Sequence, residues 1–177
     1  MQRGSILGYD LNEKSCQISY YDERKEEPET LETAVDNSQI PLLLGYYKER
    51  WVFGKEAKKL LVIREGEVVT DLFQRAMRRE KVRIGGKNHD AVWLLAKFVS
   101  LTLQDFEEIS QITFAVPYTD IDVSKMLKGI GSFAGVPKEC VNVQDYKESF
   151  CQYMFYQPKE LWQYESALFY CDAQEIR

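Results

Sequence analysis

Apolar and polar residues change places along this chain in two different periods, and the change of period outlines its organisation. Residues 5–10 form a short apolar run ahead of a turn at 11–14, which predicts a buried strand. Residues 15–21 then alternate, with Cys16, Ile18 and Tyr20 set against polar neighbours, as a half-buried strand does. Together they predict an opening hairpin. Residues 22–29 carry seven charged side chains in eight and include Pro28, so they read as an exposed connection. Two more strands are expected at 40–47 and 50–53, around Lys48 and Glu49, followed by a helix over 55–63 through Ala57, Leu60 and Leu61. Residues 64–88 predict a strand at 67–69, a short helix near 71–79 and a turn at Gly85 and Gly86.

From residue 89 the period becomes helical. Val92, Leu95, Phe98, Val99, Thr102, Leu103 and Phe106 recur every three or four positions, which predicts an amphipathic helix over 89–107. Residues 111–116 predict a strand stopped by Pro117. Val123, Met126, Leu127, Ile130 and Phe133 line one face of a second helix at 122–134, with Asp120 or Asp122 placed to cap it. Gly135 followed by Pro137 suits that helix's end. A strand at 140–143, a helix at 144–156 and an apolar strand at 166–171 complete the pattern. A strand-rich first half followed by alternating helix and strand predicts an α/β fold, a mixed sheet with flanking helices.

Composition narrows the function. The 177 residues hold 23 basic and 28 acidic side chains, a net charge of −5, which argues against a nucleic-acid binder. The densest basic stretch, 75–83, reads as a solvated helix face or turn, the alternative being a contact surface for an acidic partner. The longest apolar run, 91–96, is too short to span a bilayer, and no secretory leader is legible, so no membrane role and a cytoplasmic location are expected. Four scattered cysteines without a CxxC pair read as reduced thiols. The single His89 has no nucleophile partner in a recognisable motif, and Arg83-Ile-Gly-Gly-Lys87 lacks the pattern of a phosphate loop. The aromatic residues Tyr153, Phe155, Tyr156, Trp162, Tyr164, Phe169 and Tyr170 are expected in the core and on a face covered by a further lobe, the alternative being a partner surface.

Several segments taken in order resemble one family. Ile6-Leu-Gly-Tyr-Asp10-Leu-Asn12 is similar to the first phosphate loop of the actin-like ATPase superfamily, above all of the 70-kilodalton heat-shock chaperones. Val52-Phe-Gly54-Lys-Glu-Ala57-Lys58 resembles the chaperones' Gly-x-x-Ala-Lys segment, and residues 111–117 their strand ending in Val-Pro. Residues 124–136 resemble their helix ending in Ala-Gly-Leu, Val143-Gln-Asp145 their strand-to-helix connection, and Ala167-Leu-Phe-Tyr-Cys-Asp172 the start of their second phosphate loop.

The resemblance implies a ribonuclease-H-like first lobe. Its core would lie near 1–22 and 109–177, with an inserted subdomain near 23–108, and a second lobe would follow Arg177. It implies ATP and Mg²⁺ as cofactors. Asp10 and Asp172 stand at the metal positions, Asp10, Asn12, Glu13 and Asp172 at the nucleotide-contacting positions, and Lys58 and Asp145 at the catalytic ones. The chemistry would be phosphoryl transfer: carboxylates hold Mg²⁺ through water, backbone amides approach phosphate, Lys58 neutralises developing charge and Asp145 orients water. Departures from the pattern alter the expectation. Asn12 replaces a glycine, Glu13 and Lys14 replace hydroxyl residues, and Asp172-Ala-Gln174 lacks the Gly-Gly-Gly-Thr run. The expectation is therefore a lobe with degenerate phosphate loops, non-catalytic or weakly active, acting in protein–protein assembly. Two alternatives stay open: a working ATPase first lobe, and an α/β interaction domain with no nucleotide role. Without ligands, Asp10 would start a turn, Asp145 would cap a helix and Lys58 would be a solvated helix lysine.

Overall fold

The computed structural model describes residues 4–22, 25–31 and 38–157. Strand β1 (Ser5–Leu11) turns back into β2 (Ser15–Asp22), the expected hairpin. Strand β10 (Ile109–Val116) lies parallel to β1 on its other side, and β11 (Val141–Asp145) lies parallel to β10. Strand β3 (Glu27–Thr30) adds antiparallel to β2, giving the order β11-β10-β1-β2-β3. The short β4 (Ile40–Pro41) pairs with the start of β2 through Ser15 and Cys16. Parallel neighbours cannot be joined by a tight turn. The β10–β11 link accordingly runs through helix α4 (Ile121–Phe133), and the whole of residues 23–108 separates β2 from β10.

Register explains the core. Leu7 lies beside Ile112 and Tyr9 beside Phe114, and across the hairpin Ile18 faces Tyr9 and Cys16 faces Leu11. All seven of these side chains point to one face and are fully buried. Tyr9 and Phe114 touch ring to ring at 5.3 Å. Helix α4 seats on β11 through Gly131, where an added Cβ would stand 2.8 Å from Val141. It ends as expected at Gly135, whose φ of +96° closes a Schellman motif: Val136 N–H donates to Gly131 C=O and Gly135 N–H to Ser132 C=O.

The inserted region builds a three-stranded sheet from β5 (Leu44–Tyr47), β6 (Arg50–Phe53) and β7 (Glu67–Val69), with α1 (Gly54–Ile63) beside it. Helix α2 (Leu72–Met77), the hairpin β8 (Lys81–Ile84) and β9 (Lys87–Asp90), and α3 (Ala91–Thr102) follow. One continuous hydrophobic cluster joins this region to the main sheet: Leu44, Phe73 and Phe98 belong to the same core as Leu7 and Phe114. Helix α5 (Tyr146–Phe155) ends the described chain.

The aromatics Tyr153, Phe155 and Tyr156, expected in the core and on a covered face, are exposed because they stand on α5 and at its end, and that helix has no buried residue. Four expectations of secondary structure also need adjustment. The charged connection at 22–29 is in part a strand, because Glu27–Thr30 completes the hydrogen bonds of β2's outer edge. The segment 40–47 breaks into two strands at Leu42. His89 and Asp90 close a hairpin before α3 begins, and Asp90 caps that helix, accepting from Val92 N–H at 2.8 Å. Helix α3 stops at Thr102, five residues short of the expected end. Leu103 and Phe106 continue the apolar spacing from a turn, where Phe106 meets Tyr20. The strand expected at 166–171 lies outside the described residues.

Candidate functional site

The β1–β2 hairpin presents the candidate residues, and its loop is built around one side chain. Asn12 Oδ1 accepts from the backbone N–H of both Lys14 and Ser15, each at 2.9 Å. Its Nδ2 donates to Ser15 Oγ at 3.3 Å, and its own N–H donates to Ser15 C=O at 3.0 Å. This is an Asx-type turn, in which a short polar side chain takes up amides that would otherwise face outward. The amides of Asn12, Lys14 and Ser15 are all engaged inside the loop. Lys14 C=O accepts from Leu42 N–H at 2.8 Å, which ties the loop to the segment after β4. Glu13 is half-buried at the tip and Lys14 is exposed.

Asp10 ends β1 on the face opposite the core, beside Ala115 and Gln17. Its Oδ1 accepts from the Tyr146 hydroxyl at 2.5 Å. Burial pushes the Asp10 carboxyl above the usual carboxylate range, and the Tyr146 hydrogen bond works against that rise. Asp145 comes to the same end of the sheet, at the carboxyl end of β11 and paired with Val116. Its Oδ1 accepts from Glu148 N–H at 2.8 Å, so the carboxylate caps α5. Both parallel strands thus deliver an aspartate to one edge, but one is held by a tyrosine and the other by a helix.

Lys58 does not join this constellation. It is exposed on α1, whose buried residues are Gly54, Ala57 and Leu60, and it has no ion-pair partner among the described residues. Asp172 lies outside the described residues. Among the described residues no group of three or more His, Cys, Asp and Glu gathers as a metal would need. No helix among them is long and apolar enough to cross a membrane.

Two arrangements were not legible in the sequence. Tyr146 is 136 positions from Asp10, and nothing local marks the contact. Under the hairpin, the Tyr9 hydroxyl lies 3.2 Å from Cys16 Sγ and 2.9 Å from Thr102 Oγ1, while Thr102 donates to Val99 C=O at 2.8 Å. Burial pushes the Tyr9 phenol well above its ordinary value and the Cys16 thiol up to about 12, so both stay neutral and serve as hydrogen-bonding groups. Thr102 sits on the apolar stripe of α3, and only its hydroxyl distinguishes it there.

Fold and site together define an α/β protein with a mixed sheet, flanking helices and a polar hairpin loop at the sheet's carboxyl end. Residues 27–177 match the C-terminal part of a family of unknown function (DUF5716), and the chain belongs to that family. No curated protein sequence matches it.

Proposed function

We propose that the chain is a ribonuclease-H-like lobe of the actin-like ATPase type whose first hairpin no longer serves phosphate, and that it acts in protein–protein assembly. The fold part is supported by the mixed sheet, in which the opening hairpin pairs with the Ile109–Val116 strand as the resemblance implies. The functional part is carried by one observation: Asn12 Oδ1 already holds the Lys14 and Ser15 amides. A phosphate would have to displace that oxygen to reach them, and would meet the Glu13 carboxylate at the tip. Mg-ATP is a poor fit to these residues. Asp10, the only metal-position aspartate described, is half-buried and engaged by Tyr146.

Titration calorimetry with Mg-ATP tests it. The unaltered chain should bind no tighter than millimolar. Asn12→Gly combined with Glu13→Thr frees the amides, removes the repulsive charge and supplies a hydroxyl. A charge term of about 1–3 kcal/mol corresponds to about a 5- to 150-fold gain in affinity. Micromolar binding by the unaltered chain would overturn the proposal in favour of a working ATPase lobe. No gain from the double change would remove the actin-like half and leave an interaction domain with no nucleotide history.

A further inference from the structure

Helix α4 carries a glycine that the described residues do not explain. Gly129 lies in the helix interior with no positive φ, it is exposed, and an added Cβ would meet nothing within 4 Å among the described residues. Glycine is among the least favourable residues inside a helix, so alanine here would serve the isolated fold better. Two ordinary reasons for a helical glycine, backbone conformation and tight internal packing, are both missing. Close approach by a group outside the described residues is the reason that is left.

Gly129 opens onto a groove of about 540 Å³ between α2, α3 and α4, floored by Trp93, Ala96, Met126 and Ile130. Phe133 lines the groove from the same helix as Gly129 and is 49% exposed, and Ile121, at the start of that helix, is 73% exposed. A hollow and two unburied apolar knobs therefore share one helix. The charged residues lining the groove are Arg79, Lys125, Asp90 and Asp122, two of each sign. None of them pairs with another in an ion pair among the described residues, within a chain whose net charge is −5.

We propose that this groove is a self-association surface, occupied by helix α4 of a second copy of the chain related by a two-fold axis. In a two-fold interface the same patch serves both copies, so each hollow must be answered by a knob on the same patch, and each charge by its opposite. This patch carries groups of each kind. Phe133 supplies the knob, Gly129 lets the two α4 backbones approach, and the balanced rim lets acids of one copy face bases of the other. A strongly acidic or strongly basic partner would satisfy one half of the rim and oppose the other half. The groove and the Asn12 loop share no residue. Mass and nucleotide affinity are measured separately, so this proposal and the nucleotide reading can fail independently.

The test is the molar mass of the full chain by sedimentation equilibrium over a micromolar to submillimolar concentration series. The unaltered chain should move from monomer to dimer within that range. Gly129→Leu fills the hollow and should abolish the dimer while leaving the melting temperature unchanged or higher, because the helix gains a better residue. Arg79→Glu combined with Lys125→Glu makes the rim wholly acidic on exposed positions. It should also give a monomer with an unchanged circular dichroism spectrum. A chain that stays monomeric throughout would overturn the proposal. So would a dimer that survives both changes, since its interface would lie elsewhere. A monomer that gains mass only with an added amphipathic helical peptide would assign the groove to a foreign helix instead.

Discussion

The two faces of the main sheet are made by the same strands and follow opposite rules. On one face Leu7, Tyr9, Leu11, Ile18, Ile112, Phe114 and Val116 are sealed under α3 and α4. On the other face, Gly8, Asp10, Gln17, Ser19, Thr113 and Gln144 alternate with them at half exposure. Successive side chains of a strand point to opposite faces, so the two sets are interleaved in sequence and separate in space. Mutational cost should divide the same way. The sealed face carries the burial of apolar surface that holds the fold, while the other face carries the groups whose chemistry is free to change. Asp10 is held in place there by the Tyr146 hydroxyl.

The sharpest way to break this division is to compare neighbours on one strand. Phe114→Ala removes a fully buried ring packed on Tyr9 and should cost about 3–5 kcal/mol in urea denaturation. Thr113→Ala, one position away on the other face, should stay within about 0.5 kcal/mol. Comparable losses at the two positions would mean that the second face is also a packing surface.

How much of this was legible in the sequence follows from how local each signal is. The apolar run of β1, the alternation of β2 and the run of β10 up to Pro117 are local strand signals, and they were readable. So were the helix ends at Asp120, Asp145 and Gly135, because a cap is decided within four residues. Strand β3 was not legible. Its residues are charged and include Pro28, and it is extended because β2 offers it an edge. The β8–β9 hairpin showed its Gly85-Gly86 turn but not its strands, which are four residues each and mostly polar. At the candidate site, Asn12 was visible as a turn residue and as a departure from a phosphate loop. That its oxygen takes two amides, and that Tyr146 reaches Asp10, needed the third dimension. The α4 groove needs three helices at once, although the glycine at 129 was printed in the sequence.

A subtler test stays on the sealed face and removes only a hydroxyl. Tyr9→Phe preserves the ring against Phe114 but takes away the bridge between Cys16 and Thr102. Thr102 keeps its bond to Val99 C=O, so it is not stranded. The expected loss is about 1 kcal/mol, the net worth of a typical internal hydrogen bond, read by chemical denaturation. A larger loss would show that the end of α3 depends on this bridge.

The smallest effect has the opposite sign and belongs to the other face. The Asp10 carboxyl is raised above its ordinary value, first by burial, with the Tyr146 hydroxyl only partly offsetting it. A raised folded-state value means that ionising Asp10 works against folding. Its contribution is fully present below the unfolded value of about 3.9 and is lost as the pH rises through the folded one. Asp10→Asn cannot ionise, yet it keeps an oxygen for Tyr146 to donate to. Its melting temperature at pH 7 should therefore exceed that of the unaltered chain, by less than Tyr9→Phe lowers it, and the difference should close as the pH falls below about 4. Tyr146→Phe withdraws the one interaction that favours the charged form, so it should carry the Asp10 titration further upward. If Asp10→Asn instead lowers stability at neutral pH, the charge itself is favourable in the fold. Asp10 would then have to face a cation, and the second face of the sheet would hold a binding site after all.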